Sequence, residues 1–178
     1  MLPELMLVLL LVHPAVSGQE SPGRSGGSQT VTVTLRLSRD GIHGDSSARA
    51  ALLLGVGKGW HINVVSPAVE NLVPTSVSFA APPGLEVRGV TFPSGVSRKF
   101  AFAEAPLEVY EGTVKVLFSI SVAAGMKTGT YEIPADVSYQ ACNNDVCLPP
   151  ETVHLVIPVQ VLPADVPAKP VNTAVFGG

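Results

Sequence analysis

The sequence predicts an all-β domain built as a β-sandwich. Hydrophobic and polar residues alternate with period two in several stretches, which is typical of strands with one buried face. Proline and glycine separate these stretches at short intervals, as expected for strands joined by turns. The chain shows neither an internal repeat nor a long helical pattern. These observations favour two packed sheets over a helical or mixed fold.

The residues before the domain are predicted to be an export signal and a linker. Residues 1–17 contain the apolar run LMLVLLLV, after which Ala15 and Ser17 have the spacing of a signal-peptidase site. The run has no basic residue before it and is far shorter than the ~20 residues that span a bilayer. We therefore expect cleavage near Ser17 and a soluble product that is periplasmic or secreted. Residues 18–28, GQESPGRSGGS, are predicted to be a flexible linker.

The domain itself is predicted to cover residues 29–161. TVTVTLRLS and TVKVLFSISV alternate most clearly, and further predicted strands are WHINVVS, TSVSFA, LEVRGVTF, TYEIPADVSY and TVHLVIPVQV. SSARAALLLGV, residues 46–56, has room for one or two helical turns, but its neighbours favour a strand. Three prolines in eight residues after Leu162 predict a Pro-rich extended tail over residues 162–178 rather than a folded element.

Composition excludes one class of partner. The net charge is −3, charged residues make up 14% of the chain, and no basic run is present. Binding to nucleic acid depends on a concentration of positive charge, so no nucleic-acid partner is expected. Hydrophobic residues make up 46%, which is enough for a sizeable core.

Cys142 and Cys147 are the chemical groups on which a functional prediction can rest. As a structural staple, they would close a loop of about six residues, worth roughly 2 kcal/mol against about 3 for a 15-residue loop. As metal ligands they lack partners, because a structural zinc site needs four ligands and the histidines are scattered. No metal or other cofactor is therefore expected. As a redox pair they need a thiolate, access to the attacked sulfur and a partner thiol in line, and a turn at the edge of a sandwich offers that access.

The residues around the cysteines favour the redox pair and leave the staple open. Asn143, Asn144 and Asp145 suit a turn because their side chains bond to nearby backbone and tolerate left-handed geometry. The two prolines after Cys147 have no backbone N–H to donate to a neighbouring strand, so this segment stays accessible to a partner protein. No basic residue lies within six positions of either cysteine to lower a thiol pKa. We therefore expect a pair that is acted upon by a more reactive thiol.

This segment resembles the active-site hairpin of the periplasmic N-terminal domain of the thiol:disulfide interchange protein DsbD. The match is Tyr-Gln-x-Cys, a short spacer, and Cys-x-Pro-Pro-Glu-Thr within YQACNNDVCLPPETVHLVIPV. GKGWHIN resembles the family's Gly-aromatic segment, and PLEVYEGTVKV resembles its Glu-x-Tyr strand. The matches span about Val31 to Val161. The resemblance implies an immunoglobulin-like β-sandwich, expected here as a standalone form without the family's membrane transporter.

The resemblance also implies a function. A membrane thiol transporter would reduce the Cys142–Cys147 disulfide, and Cys147 would form mixed disulfides with clients. The clients would be periplasmic thioredoxin-like proteins or disulfide isomerases, including proteins of cytochrome c maturation. The domain would then be the component of a protein-disulfide reductase that relays electrons. The alternative is a non-catalytic binding or adhesion sandwich whose hairpin disulfide is structural.

Several further residues are candidates for the neighbourhood of the site. A cap loop with an aromatic residue shields the cysteines in the family, and RKFAFAEAP offers Phe100 or Phe102 for this position. The family often has acidic residues just before that aromatic, where this chain has Arg98 and Lys99, so Glu104 is the nearby acid.

The remaining candidates come from the two weaker motifs and the cysteine string. His61 and Asn63 alternate with hydrophobic residues in WHIN and are predicted to face away from the core, toward solvent or the redox site. Tyr110 and Tyr139 lie in the other matched strings and are predicted to pack rather than react.

Overall fold

In the computed structural model, which describes residues 30–69, 72–100 and 103–177, the chain is built almost entirely from strands. The strands are β1 Val31–Leu37, β2 Ile42–His43, β3 Ser46–Val56, β4 His61–Asn63, β5 Ser76–Phe79, β6 Leu85–Thr91, β7 Val96–Arg98, β8 Leu107–Tyr110, β9 Thr113–Val122, β10 Gly129–Tyr139, β11 Ala141–Cys142 and β12 Glu151–Leu162. One helix, α1, spans Thr173–Phe176. The predicted signal peptide (1–17) and linker (18–28) lie outside the described residues.

Two four-stranded sheets face each other and enclose the main core. The first has the strand order β1-β3-β9-β6, and the second has the order β2-β12-β10-β5. All of these pairings are antiparallel except the parallel contact between β2 and β12. Buried rows from β1, β3 and β9 meet buried rows from β10 and β12 in one hydrophobic cluster. The fold is the predicted immunoglobulin-like β-sandwich.

Strand β9 shows how the sequence pattern produces this packing. Alternate residues of TVKVLFSISV are buried, and the residues between them face outward. The inward row consists of Val114, Val116, Phe118, Ile120 and Val122. Full burial of one such side chain contributes about 1.5–3 kcal/mol, so a row of five anchors the sheet on its partner.

Residues 46–56 form strand β3, as the neighbouring patterns favoured. β3 pairs with β1 on one side and with β9 on the other, so it is central in its sheet. Its alternation is weak because Ala51, which lies between the inward-facing Ala50 and Leu52, is also fully buried. A strand covered on both faces reads as a nearly continuous apolar run, which explains the ambiguity of the sequence here.

Beyond Leu162, the structure corrects the prediction of an extended tail without folded elements. Arg39 and Pro170 form an isolated antiparallel bridge, and α1 follows three residues later. Phe176 is buried, with the guanidinium carbon of Arg49 5.6 Å from its ring centroid. A nitrogen of the same guanidinium donates to the Phe176 carbonyl at 2.8 Å. Burial of the aromatic ring and capping of the last carbonyls hold this segment on the domain despite its prolines.

A third, smaller sheet has the order β11-β4-β8-β7, with all neighbours antiparallel. It lies at one end of the sandwich because β4 follows β3 closely in sequence and β11 follows β10. A type II-like turn leads into β4, with Gly59 at φ 81° and the Trp60 N–H bonded to the Gly57 carbonyl at 3.0 Å. Glycine adopts this positive φ without strain. Within the described ranges, no helix is long and apolar enough to span a membrane.

Candidate functional site

The two cysteines lie at the tip of the hairpin formed by β10 and β12. The long ladder ends at the pair Tyr139 and Glu151, and the chain then bends into β11. Pairing continues beyond the bend, because the Leu148 N–H bonds to the Ala141 carbonyl at 2.9 Å. Cys142 and Cys147 are the next antiparallel pair, and they are joined by a disulfide, with their Cα atoms 4.0 Å apart.

The Asn143 side chain organises the turn between the cysteines. Its Oδ1 atom accepts the backbone N–H groups of Asp145 and Val146, each at 2.8 Å. The Asn143 N–H donates to the Val146 carbonyl at 2.9 Å, which closes the turn. None of the turn residues adopts positive φ. The turn therefore contains the predicted hydrogen bonds from the backbone to an asparagine side chain, but none of its residues is in the left-handed conformation.

The two ends of the disulfide differ in exposure. Cys142 is 1% exposed, because its strand is inserted beside β4. Cys147 is exposed, since it follows the turn and precedes two exposed prolines. The exposed end of the disulfide is therefore the Cys147 end.

His61 lies directly across the ladder from Cys142. The register of β4 and β11 pairs His61 with Cys142 and Ile62 with Ala141. Opposed residues in an antiparallel pair project to the same face, with Cβ atoms about 4.5–5.5 Å apart. The imidazole is buried and contacts the ring of Phe100, with centroids 4.4 Å apart. Of the two predicted positions for His61 and Asn63, solvent or the redox site, burial of both side chains rules out solvent.

A groove of about 630 Å³ runs beside His61 and the disulfide turn. Its polar lining includes Lys58, Arg98, Lys99, Glu111 and Asn144. Both carboxylate oxygens of Glu111 accept from the Arg98 guanidinium, at 2.9 and 2.6 Å. This paired contact holds the pKa of Glu111 below its usual value.

The environment of His61 acts on its pKa in two directions. Burial lowers the pKa of His61, because it penalises the charged imidazolium. The carboxylate of Glu111 opposes this effect, but burial dominates. The imidazole is therefore more strongly biased to the neutral form than a free histidine.

The predicted cap segment packs over this histidine. Phe100 is buried in a small second cluster with Leu107 and Val109. The Lys99 ammonium donates to the carbonyls of Ala103, at 3.0 Å, and Glu104, which ties the two ends of the segment together. Phe102 lies outside the described residues.

The other candidate residues have contacts that hold the scaffold. Asn63 donates through Nδ2 to the Val73 carbonyl at 2.9 Å, which fixes the chain before β5. The Tyr110 hydroxyl donates to the Pro93 carbonyl at 3.1 Å, and burial raises the pKa of Tyr110. Tyr139 is 1% exposed in the main core. Glu104 is exposed, and its backbone carbonyl is the atom that Lys99 contacts.

Sequence reasoning missed Glu111. It directly follows the Glu108-x-Tyr110 motif, but its salt bridge is to Arg98, 13 residues earlier. In sequence, Arg98 stands out only as a departure from the acidic residues of the family. A search for an acid to match that basic residue across neighbouring strands is the signal that would have found the pair.

The sequence comparisons match the chain to one family. Residues 41–157 match the family model described as "Thiol:disulfide interchange protein DsbD, N-terminal". This range is about two thirds of the chain and includes both cysteines, His61 and Phe100. A comparison with curated proteins finds no match.

Solved structures with a similar fold have low sequence identity to the chain. The N-terminal periplasmic domain of ScsB from Proteus mirabilis has a TM-score of 0.53 and 15% identity, covering 78% of this chain and 50% of that one. The reduced DsbD N-terminal domain from Neisseria meningitidis has a TM-score of 0.44 and 15% identity, covering 75% and 89%. A complex between the DsbD and PilB N-terminal domains from Neisseria meningitidis has a TM-score of 0.43 and 15% identity, covering 69% and 81%. The chain thus spans half the length of the ScsB chain, and that likeness shows the fold.

Proposed function

Because the chain belongs to the family of the N-terminal domain of the thiol:disulfide interchange protein DsbD, we propose that it relays electrons from a membrane thiol transporter to client oxidoreductases. It is a thiol–disulfide interchange module by family and carries one disulfide, Cys142–Cys147. In this proposal the disulfide opens and closes once for each pair of electrons carried. The protein is then a thiol–disulfide oxidoreductase component that needs no bound cofactor.

The unequal exposure of the two cysteines is the observation that carries the proposal. Thiol–disulfide exchange needs access to one sulfur along the line of the bond, with the other sulfur departing behind it. A donor thiolate attacks Sγ of the exposed Cys147, the bond to Sγ of Cys142 breaks, and its electron pair stays on Cys142. A second donor thiol then displaces Cys147, leaving the donor as a disulfide and this domain as a dithiol.

The electrons leave by the same chemistry in reverse. The Cys147 thiolate attacks a client disulfide and forms a mixed disulfide. Cys142 then attacks Cys147, which restores the disulfide and releases the client as a dithiol. We propose thioredoxin-like proteins and disulfide isomerases as clients, including those of cytochrome c maturation. The predicted signal peptide would place this exchange in the periplasm or outside the cell.

A trapping experiment tests which sulfur meets the client. The Cys142→Ser variant keeps only Cys147, and it should displace the aromatic thiol from a single-cysteine thioredoxin activated as a mixed disulfide. The product is a stable covalent complex, visible on a non-reducing gel and mapped by mass spectrometry. The matched control, Cys147→Ser, keeps only the buried Cys142 and should form little complex in the same time. Equal reaction of both variants would contradict the proposed entry at Cys147.

Equilibration of the wild-type protein with glutathione buffers gives the second test. A relay must be both reducible and oxidisable, so its reduction potential should lie above about −300 mV. A value well below that, together with no complex in the trapping experiment, would identify a structural disulfide. The protein would then be a binding or adhesion sandwich.

A further inference from the structure

The exchange reaction creates a proton-transfer problem at Cys142. When the disulfide opens, the Cys142 sulfur departs as a thiolate, and when it closes again, the Cys142 thiol must lose its proton. Cys142 is 1% exposed, so bulk water does not reach this sulfur freely. A buried thiolate is unfavourable unless a positive or proton-donating group lies beside it.

His61 lies where such a group is needed. It is the residue paired with Cys142 in the ladder of β4 and β11, and the other ladder residue of β4 in that pairing, Ile62, carries no titratable group. The paired side chains project to the same face of the sheet. No residue within six positions of either cysteine is basic, so a basic partner for Cys142 must come from another strand, and β4 provides one.

The imidazole lies between the strand of Cys142 and the groove, so it can exchange a proton with either. The Phe100 ring covers one side, with centroids 4.4 Å apart. The charged groups that line the groove beside His61 are Lys58, Arg98, Lys99 and Glu111. Arg98 holds both oxygens of Glu111, so that carboxylate is occupied by a salt bridge.

We propose that His61 is the proton carrier for Cys142, an inference that rests on the relay proposed above. In the closing step, the neutral imidazole takes the proton of the Cys142 thiol. The resulting thiolate attacks Cys147 Sγ of the mixed disulfide, and the client sulfur leaves with the electron pair. In the opening step, the imidazole takes a proton from water in the groove that it borders and gives that proton to the departing Cys142 sulfur. His61 therefore passes protons between the groove and Cys142, while the electrons pass through Cys147.

The electrostatics of the site agree with this assignment. Burial lowers the pKa of His61, so the resting imidazole is biased to the neutral form, which is the form that can accept a proton. Transfer produces an imidazolium beside a thiolate, an ion pair that stabilises both charges. Glu111 lies close enough to favour the imidazolium as it forms.

A two-phase experiment isolates the step that depends on His61. The reduced wild-type protein is mixed with a chromogenic aromatic disulfide, which releases one coloured thiol when Cys147 attacks. It releases the second coloured thiol when Cys142 resolves the mixed disulfide. His61→Phe keeps an aromatic ring against Phe100 but cannot carry a proton, and His61→Gln serves as a second variant if the first folds poorly. His154→Phe, on the exposed face of β12, is the matched control.

We expect the first release to be unchanged in every variant. The second release should slow about 10²-fold at pH 7 in His61→Phe and His61→Gln, the low end of the effect of a positioned acid or base. Its rate should then keep rising with pH past about 8.5, the ordinary pKa of a cysteine thiol, because burial disfavours the thiolate. His154→Phe should behave as wild type.

Different results would overturn the two proposals separately. A normal second release in both His61 variants, with the wild-type pH profile, overturns the assignment of His61 and leaves the relay intact. Loss of the first release in the wild-type protein itself means that Cys147 is unreactive, which overturns the relay.

Discussion

At the scale of single residues, the site is a set of local contacts near Cys142. Asn143 shapes the turn, His61 is paired with Cys142 across the ladder, and Phe100 covers the histidine. The turn chemistry of Asn143 was predictable, because asparagine bonds to its own backbone two and three residues on. The burial of His61 was not, because a three-residue strand has too short a pattern to reveal that both of its sides are covered.

The buried histidine should make stability depend on pH. The native protein keeps His61 neutral, whereas the unfolded chain binds a proton below about pH 6.5. The unfolded state therefore holds more protons between that pH and the lower native pKa, so the free energy of unfolding should fall as pH drops through this window. Urea unfolding of the oxidised protein at several pH values measures the slope.

The His61→Phe variant should lose this part of the slope, while His154→Phe should keep it. Parallel pH profiles for the wild type and His61→Phe would show that the imidazole is protonated equally well in both states. That result would contradict the effect of burial on this group.

At the scale of elements, the long strands were predictable and their short partners were not. β9 and β12 have clear alternation, because one face packs on the core and the other meets water. β7 and β11 have only three and two residues, and the partner of β11, β4, lies far away in sequence. The docking of α1 depends on Arg49, which is 127 residues from Phe176, so local composition indicated only an extended tail.

Two buried phenylalanines at separate places on the fold allow the cap to be tested. Phe100→Ala and Phe176→Ala should each lower stability by about 3 kcal/mol, as for other buried phenylalanines. Only Phe100→Ala should also speed reduction of the disulfide by dithiothreitol, because Phe100 lies over the histidine that faces Cys142. We expect a rise of about tenfold, equivalent to roughly 1.4 kcal/mol in the barrier.

Phe176→Ala is the control for general loosening of the fold. If both variants accelerate reduction to the same extent, the effect comes from lower stability rather than from removal of a shield. If neither does, the cap does not limit access to the sulfurs.

At the scale of the whole molecule, the sandwich supports the hairpin rather than depending on it. The main core joins β1, β3 and β9 to β10 and β12, and neither cysteine belongs to it. The fold class could be predicted from the alternation of hydrophobic and polar residues and from the proline and glycine between the strands, because many half-buried strands commonly pack as a sandwich. The position of the site could not be predicted in the same way, because it depends on the pairing of β11 with β4, which no local sequence pattern encodes.

The domain should therefore stay folded without its disulfide. A variant with both Cys142→Ser and Cys147→Ser should lose about 2 kcal/mol of stability, the value for closing a loop of about six residues. Denaturant unfolding measures this loss, and the circular dichroism spectrum should remain that of a β protein. Global unfolding of the variant would show instead that the bond is a structural staple.

The single exposed sulfur also sets the order of events in the proposed relay. Donor and acceptor must both use Cys147, so they compete for one docking place and no ternary complex can carry the electrons directly between them. Turnover should then follow ping-pong kinetics, with the domain shuttling as a free dithiol from one collision to the next. The rate of electron transfer would be limited by how fast each partner binds to the domain and leaves it. An excess of the donor or of the acceptor, in either redox form, would act as a competitive inhibitor of the other partner.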